Sequence, residues 1–448
     1  MNYLRVLFAL LISIPTVAQE KPGRTVLSLS LRQAVELAIT PEGNARIRLT
    51  QEALEQAQSR STQALGALLP DISSSMTYRN QTMNLKANGL QFNIPIGAGL
   101  GFSFPSMIGP FSVMDARISG TQSIFDFSSI RRLQAARAGT AAAKSDLTNA
   151  EEQVAAQVAR AYLLAIRTDA DLSVVQSNVA LSKAVLAQAE NQKAAGTSTG
   201  IEITRARVQL ANDQQRLLVA QNAQHSAHLQ LLRVMRQNLD AELVLTDKLG
   251  YVPMDAVALD QAKTQALASR PDLKAQQERE NSSQLSASAI KMERAPTLSF
   301  FGDYGTIGSG FDNSLPTRTY GITLRVPIFD GGRKDARRAE STSQYRAEKV
   351  RTQDLKEQIE LEVRLALDSL QSAEDQVKVA EEGLQLAENE LAQAQRRYEA
   401  GVSFSLEVTD AQTRLERARD NRIQALYNYN IARIDLDQAM GKVKSNLK

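Results

Sequence analysis

The chain has 448 residues, with 52 Lys and Arg against 49 Asp and Glu, and its formal charge of +3 leaves no basic stripe of the kind that nucleic acid would need as a partner. Trp is absent and aromatics make up 5% of the residues, while Ala, Gln, Leu, Glu and Arg dominate, a balance that favours long helices and coiled coil over a globular enzyme core. Cysteine is also absent, which fits an oxidising compartment and removes the thiol that a lipoprotein anchor would need.

The chain opens with Met1 to Arg5, the apolar run Val6 to Ile14, and Pro15 to Gln19. One basic residue, a short apolar stretch and small residues before a cut after Ala18 predict a secretory signal peptide over 1–18. A buried N-terminal helix is the plainer alternative. The apolar run is nine residues, well short of the roughly 20 that a membrane-spanning helix needs. No later stretch reaches 18 apolar residues, so a membrane role has to come from β-strands.

Residues 31–39 predict a short helix. In 72–79, Ile72, Met76 and Tyr78 fall on one face against Ser73, Ser75, Thr77 and Arg79, predicting a strand near 70–80. A Gly- and Pro-rich loop over 81–113 follows. A weaker strand lies near 115–126, with Ile118 and Ile124 against Arg117, Ser119, Thr121 and Ser123. Residues 128–193, read as one helix, would be roughly 98 Å long, with a seam of Leu172, Val175, Val179, Ser182, Leu186 and Ala189. Gly196 to Gly200 turn the chain into an antiparallel helix.

The same order then returns. Residues 259–267 predict a helix, and a strand near 296–305 sets Leu298, Phe300 and Tyr304 on one side. A loop over 305–317 leads to a strand near 318–329, in which Tyr320, Ile322, Leu324 and Val326 alternate with Thr319, Gly321, Thr323 and Arg325. A long helix carries Leu370, Ala373, Val377, Ala380, Leu384, Ala387, Leu391, Ala394 and Tyr398, alternating four and three in a coiled-coil seam. Gly401 to Ser403 break that pattern before a last helix.

This order reflects an internal duplication. Leu31–Ile39 resembles Leu259–Leu267, and Leu69–Ile72 matches Ala295–Leu298, at offsets of 228 and 226. Ile124-Phe125-Asp126 matches Ile328-Phe329-Asp330, and Ala195-Gly196 matches Ala400-Gly401, at 204 and 205. The drop from 226 to 204 leaves about 22 extra residues in the first copy, within 81–113. The units are therefore 19–240 and 241–448.

Each strand is close to the roughly 9–11 residues that cross a bilayer when tilted. Four strands cannot close a barrel, and an open edge in lipid leaves unpaired backbone groups. If these strands span a membrane, several chains must share one barrel. A soluble two-hairpin sheet capped by coiled coil is the alternative on pattern alone.

Leu324-Arg-Val-Pro327-Ile-Phe-Asp330-Gly331-Gly332-Arg333 resembles the strand-to-helix signature of the TolC-like outer-membrane efflux proteins. Pro327 ends the ladder, and Asp330-Gly331-Gly332 turns the chain into the helix. Ser269-Arg-Pro-Asp-Leu-Lys-Ala275 resembles a second landmark of that family, and Tyr398 to Ala411 resembles its periplasmic hairpin tip. The resemblance covers essentially the whole mature chain. It implies a mixed α+β membrane protein: a homotrimer with a twelve-stranded barrel, four strands per chain, continued by a periplasmic α-helical coiled-coil barrel. Implied partners are a periplasmic adaptor protein, an inner-membrane pump and outer-membrane lipid. The implied role is the outer-membrane exit duct of a tripartite efflux or type I secretion system, passive and without a cofactor.

By the same resemblance, Glu407 and Asp410 match an acidic pair at the tunnel constriction, with Glu202 and Tyr398 further gate positions. Gly196, Thr197, Gly401 and Val402 match the tips that the adaptor contacts. At i and i+3, Glu407 and Asp410 share one helix face, although first-turn acids stabilised by a helix N-terminus are the plainer reading. Ser403 stands where some members carry an Arg that locks the closed state, so a charge-assisted bond is expected to be missing there. Arg131, Arg132, Arg333, Lys334, Arg337 and Arg338 would sit just below the barrel, against lipid headgroups or in a solvated salt-bridging face.

No catalytic constellation stands out. The two histidines, His225 and His228, are i and i+3 on a helix without a third ligand nearby, and an exposed helix face explains them. Gly308 to Gly310 and Gly97 to Gly101 lack the Lys that phosphate binding needs. The competing function is a periplasmic coiled-coil scaffold or adaptor without a pore, which would carry small soluble β-domains. An envelope enzyme is disfavoured by the missing constellation.

Overall fold

The computed structural model describes residues 26–40, 42–87, 89, 106–196, 199–254 and 258–447. The expected signal peptide over 1–18 lies outside the described residues, as do Thr197 and residues 90–105.

The chain runs β1 (Val26–Leu29), α1 (Leu31–Ile39), α2 (Ala45–Gly66), β2 (Asp71–Asn84), β3 (Met107–Phe125), α3 (Phe127–Ala194) and α4 (Gly200–Val234). The order then repeats as β4 (Glu242–Leu245), α5 (Leu259–Ser269), α6 (Pro271–Met292), β5 (Thr297–Gly308), β6 (Ser314–Arg325), α7 (Arg333–Glu399) and α8 (Ser405–Ala439). A last turn, α9 (Val443–Asn446), closes the chain.

Two helices set the length of the molecule. The 68 residues of α3 and the 67 of α7 come to roughly 100 Å each at 1.5 Å per residue. Neither neighbour alone can cover such a rod. The lower half of α3 packs on α4 and its upper half on α2 and α6, while α7 is shared between α8 and α6. The predicted α7 seam is the packed one: Ala373, Val377, Ala387, Leu391, Ala394 and Tyr398 are buried, with Leu370, Ala380 and Leu384 packed beside them. Small Ala between larger residues lets the helices approach closely. No helix among the described residues is long and apolar enough to cross a membrane.

Halfway up, β1 and β4 pair in parallel against a core around Tyr162, Leu231, Leu232 and Met235. The Tyr162 hydroxyl is 2.9 Å from the Leu29 carbonyl and 2.8 Å from Asp247 Oδ2, which also accepts the Leu31 N–H at 2.7 Å. Burial, with Asp247 beside it, pushes this phenol above its usual range. The Ser269–Ala275 landmark has an equally physical reason. Arg270 pairs with Asp272 at 2.6 Å and with Glu362 of α7, and donates to the Ala439 carbonyl at 3.3 Å. One side chain thus ties the start of α6 to two other helices.

At one end lies a four-stranded antiparallel sheet in the order β2-β3-β5-β6. Its register lines up whole rows: Ile72, Gly120, Gly302 and Tyr320, then Ser74, Ile118, Tyr304 and Arg318. Ile72, Ile118, Tyr304 and Tyr320 thus share a face, and all are exposed. The other face holds Ser73, Ser119, Asp303 and Thr319, then Ser75, Arg117, Gly305 and Thr317. There Arg117 sits 2.5 Å from Asp115 and 3.1 Å from Asp303. Gly305 makes room for it, because a Cβ at that position would stand 2.4 Å from Arg117 Cβ.

Three strands are longer than their patterns suggest, while the one expected near 318–329 keeps its length but starts earlier, as β6, and stops at Arg325, before Pro327. β2 runs on to Asn84 and β3 begins at Met107, so the connection is 85–106 and not 81–113. β5 and β6 reach Gly308 and Ser314 around a 3-10 turn at Phe311–Asn313, so the expected loop 305–317 shrinks to 309–313. The signals that hid β3 are Gly109 and Pro110, which lie where its register with β2 shifts, between Gln81 and Met83. A bulge, beyond the reach of β5, is where a strand tolerates proline.

Candidate functional site: the hairpin tips and the strand-to-helix turn

At the far end from the sheet, both hairpins turn on a left-handed glycine. Gly196 and Gly401 have φ of 76° and 71°. Gly196 donates to the Lys193 carbonyl and Gly401 to the Tyr398 carbonyl, each at 3.0 Å, so a carbonyl in the last turn of α3 and of α7 is satisfied as the chain reverses. Val402 follows, exposed. Thr197 lies outside the described residues.

Glu407 and Asp410 both lie in the first two turns of α8, exposed, while Val408 between them is buried. Glu407 Oε1 is 3.1 Å from Arg397 Nε, and Ser403 Oγ donates to its other oxygen. Arg397, at the end of α7, thus gives Glu407 a charge-assisted bond across the turn. Sequence reading missed Arg397 because its partner is ten residues away, beyond helical i+4 spacing.

Tyr398 is buried and donates to Gln192 Oε1 of α3 at 2.7 Å, joining the second hairpin to the first. Burial, with the Glu202 charge nearby, holds this phenol above its usual range. Glu202, in the first turn of α4, is 2.9 Å from Arg205 through Oε1, while its Oε2 is buried without a protein partner. The structure thus gathers Tyr398 and Glu202 between the hairpins, and sets Glu407 and Asp410 on the surface beside them.

Above the tip a polar cluster inside the first hairpin leads to an ion pair with the second. Ser182 of the α3 seam donates to buried Asp213, which also takes the Gln209 amide at 3.2 Å. Arg216 sits 2.5 Å from Glu416 of α8. Burial raises the Glu416 carboxyl above its ordinary range despite the Arg216 bond, with Asp213 and Asp420 adding negative charge. Asp213 and Glu416 escaped the sequence reading, although Ala206, Asp213, Ala220 and Ala227 recur every seven residues.

At the other end of α7, Asp330 Oδ2 accepts the Lys334 N–H at 3.0 Å. Gly331 and Gly332 take φ of 71° and 82°, and Pro327 lies just past the last ladder residue, Arg325. The first copy caps differently, with Asp126 accepting directly from Ser128 at 2.9 Å. Two of the basic residues here, Arg132 and Arg337, are ion-paired. Arg132 and Arg337 hold Glu293 at 2.5 and 2.9 Å, and Lys334 donates to the Glu293 carbonyl at 3.1 Å. His228 lies 3.0 Å from Asp169, and no group of three or more potential metal ligands is gathered among the described residues.

The family model for "Outer membrane efflux protein" matches residues 41–235 and 263–442. The pyoverdine export outer membrane protein OpmQ of Pseudomonas putida is 25% identical over 405 residues, 87% of this chain and 81% of that protein. The alkaline protease secretion protein AprF of Pseudomonas aeruginosa is 22% identical over 320 residues, 70% of this chain and 66% of that protein. A solved membrane protein from Pseudomonas aeruginosa shares the fold with a TM-score of 0.78 at 19% identity, over 92% of this chain and 93% of that one. The chain belongs to the outer membrane efflux protein family, a TolC-like channel family, and resides in the outer membrane with most of its length in the periplasm.

Proposed function

We propose that three copies of this chain close one barrel, β2 of each pairing with β6 of the next, and form the exit duct of a tripartite efflux or type I secretion system. The observation that carries this reading is a sheet with two unpaired edge strands and one exposed apolar face. In lipid an open edge costs several kcal/mol per unpaired group, as an order of magnitude. The 14 residues of β2 and 12 of β6 exceed the roughly 9–11 that a tilted strand needs to cross the bilayer. Three chains give the twelve strands that the family resemblance implies.

The helical hairpins would continue that barrel across the periplasm. In support, α7 carries exposed apolar residues flanking its seam, including Leu365, Val379 and Leu386, which a neighbouring protomer would cover. The hairpin tips at Gly196, Thr197, Gly401 and Val402 would meet a periplasmic adaptor, and an inner-membrane pump would deliver the cargo. Glu407 and Asp410 from three chains would form a ring of six carboxylates that favours cations at a narrow entrance. Relatives whose names specify pyoverdine and alkaline protease are consistent with a generic passive duct whose cargo is selected upstream.

Light scattering on purified protein, with the detergent subtracted, tests the assembly. Three chain masses are expected. A folded monomer that fails to enter bilayers would return the pore-free scaffold reading.

A further inference from the structure

Between α3, α4 and α8, just above the tip, lies a small, partly open cavity lined by Ser182, Glu202, Gln209, Thr409 and Gln412 among others. Two side-chain atoms in its wall are buried without a protein partner: Glu202 Oε2 and Gln412 Nε2. Gln412 is only 5% exposed. One is an acceptor and the other a donor. A buried polar atom left unpaired keeps the full cost of losing its water, and the same small space leaves two such costs standing.

We infer that this cavity is a binding site for one ordered water, which accepts from Gln412 Nε2 and donates to Glu202 Oε2. The cavity holds about 10 Å³, close to the ~10–15 Å³ that one water requires on that measure. A cation fits the chemistry poorly, because the Gln412 N–H and the Arg205 guanidinium, 2.9 Å from Glu202 Oε1, present their positive ends. The remaining hydrogen-bonding capacity of the water has polar wall groups to meet, Thr409 among them. Water bridges of this kind approach a direct hydrogen bond in enthalpy.

The bridge joins α4 to α8, the first hairpin to the second. It sits near another polar link between the hairpins, the Tyr398–Gln192 bond. The water is then a latch: separating the tips breaks it and leaves both orphan atoms to find new partners. The site follows from the fold alone, while its effect on opening rests on the gate reading above.

Crystals of the full chain that resolve ordered solvent, grown in parallel in sodium and rubidium salts, test the site. A peak at about 2.7–3.2 Å from both atoms, without anomalous signal in rubidium, is expected. An empty cavity, a rubidium peak, or a direct bond from Gln412 to a protein group overturns it. Gln412→Leu and Gln412→Met remove the donor, and either should raise open-channel occupancy in bilayers about fivefold, the effect of losing roughly one hydrogen bond. Glu407→Ala/Asp410→Ala serves as the gate control. A rise in the control alone overturns the latch and keeps the gate, and no rise in any variant overturns both.

Discussion

Arg397 Nε lies 3.1 Å from Glu407 Oε1, an ion pair that spans the Gly401 turn and joins the end of α7 to the start of α8. Both side chains are exposed, at 59% and 44%, so the pair adds no more than ~1 kcal/mol to stability and is screened by salt. Its larger effect is on charge. Each protomer would bring an acidic pair to the entrance together with a cation that offsets part of it.

Arg397→Ala should therefore leave the melting temperature within a few degrees of wild type while making the channel more cation-selective. Reversal potentials across a salt gradient measure this. Unchanged selectivity would mean that Glu407 does not face the permeating ions.

Arg270 should behave in the opposite way. Its guanidinium is 11% exposed and holds Asp272, Glu362 and the Ala439 carbonyl together. Arg270→Ala leaves two carboxylates without their cation at a packed junction and should cost about 3–5 kcal/mol. Thermal unfolding followed by circular dichroism would report a large drop, with ion selectivity unaltered in whatever protein assembles.

The Glu416 carboxyl is raised above its ordinary range by burial. The native state therefore holds its proton more tightly than the unfolded chain does. Stability from this group is full below the unfolded-state value of about 4.3 and is lost as pH rises through the higher native value. Glu416→Gln keeps the shape and removes the titration. Melts between roughly pH 4 and 7 should show wild type losing more stability than the variant as pH rises. Parallel curves would place the pH dependence elsewhere.

These residues also show what the sequence could reveal. The α7 seam was legible because Leu391, Ala394 and Tyr398 repeat over many turns, and the faces of β5 and β6 because Leu298, Phe300, Tyr320 and Ile322 alternate. The short pair β1 and β4, four residues each, is too brief to show a period and exists only through its packing on Tyr162. Gly109 and Pro110 disguised the start of β3. At the tips, glycines and acids stood out by resemblance, while Arg397, Gln192 and Gln412 did not. Their significance comes from partners on other turns or other helices, which spacing along one chain does not encode.

The most direct test of the shared duct with an acidic entrance is single-channel conductance in planar bilayers, comparing purified wild-type protein with Glu407→Ala/Asp410→Ala. The account predicts a small, cation-selective conductance in wild type that rises several-fold and loses selectivity in the double variant. Folded wild-type protein that gives no conductance at all would contradict the shared duct, and an unchanged conductance in the variant would contradict the acidic entrance.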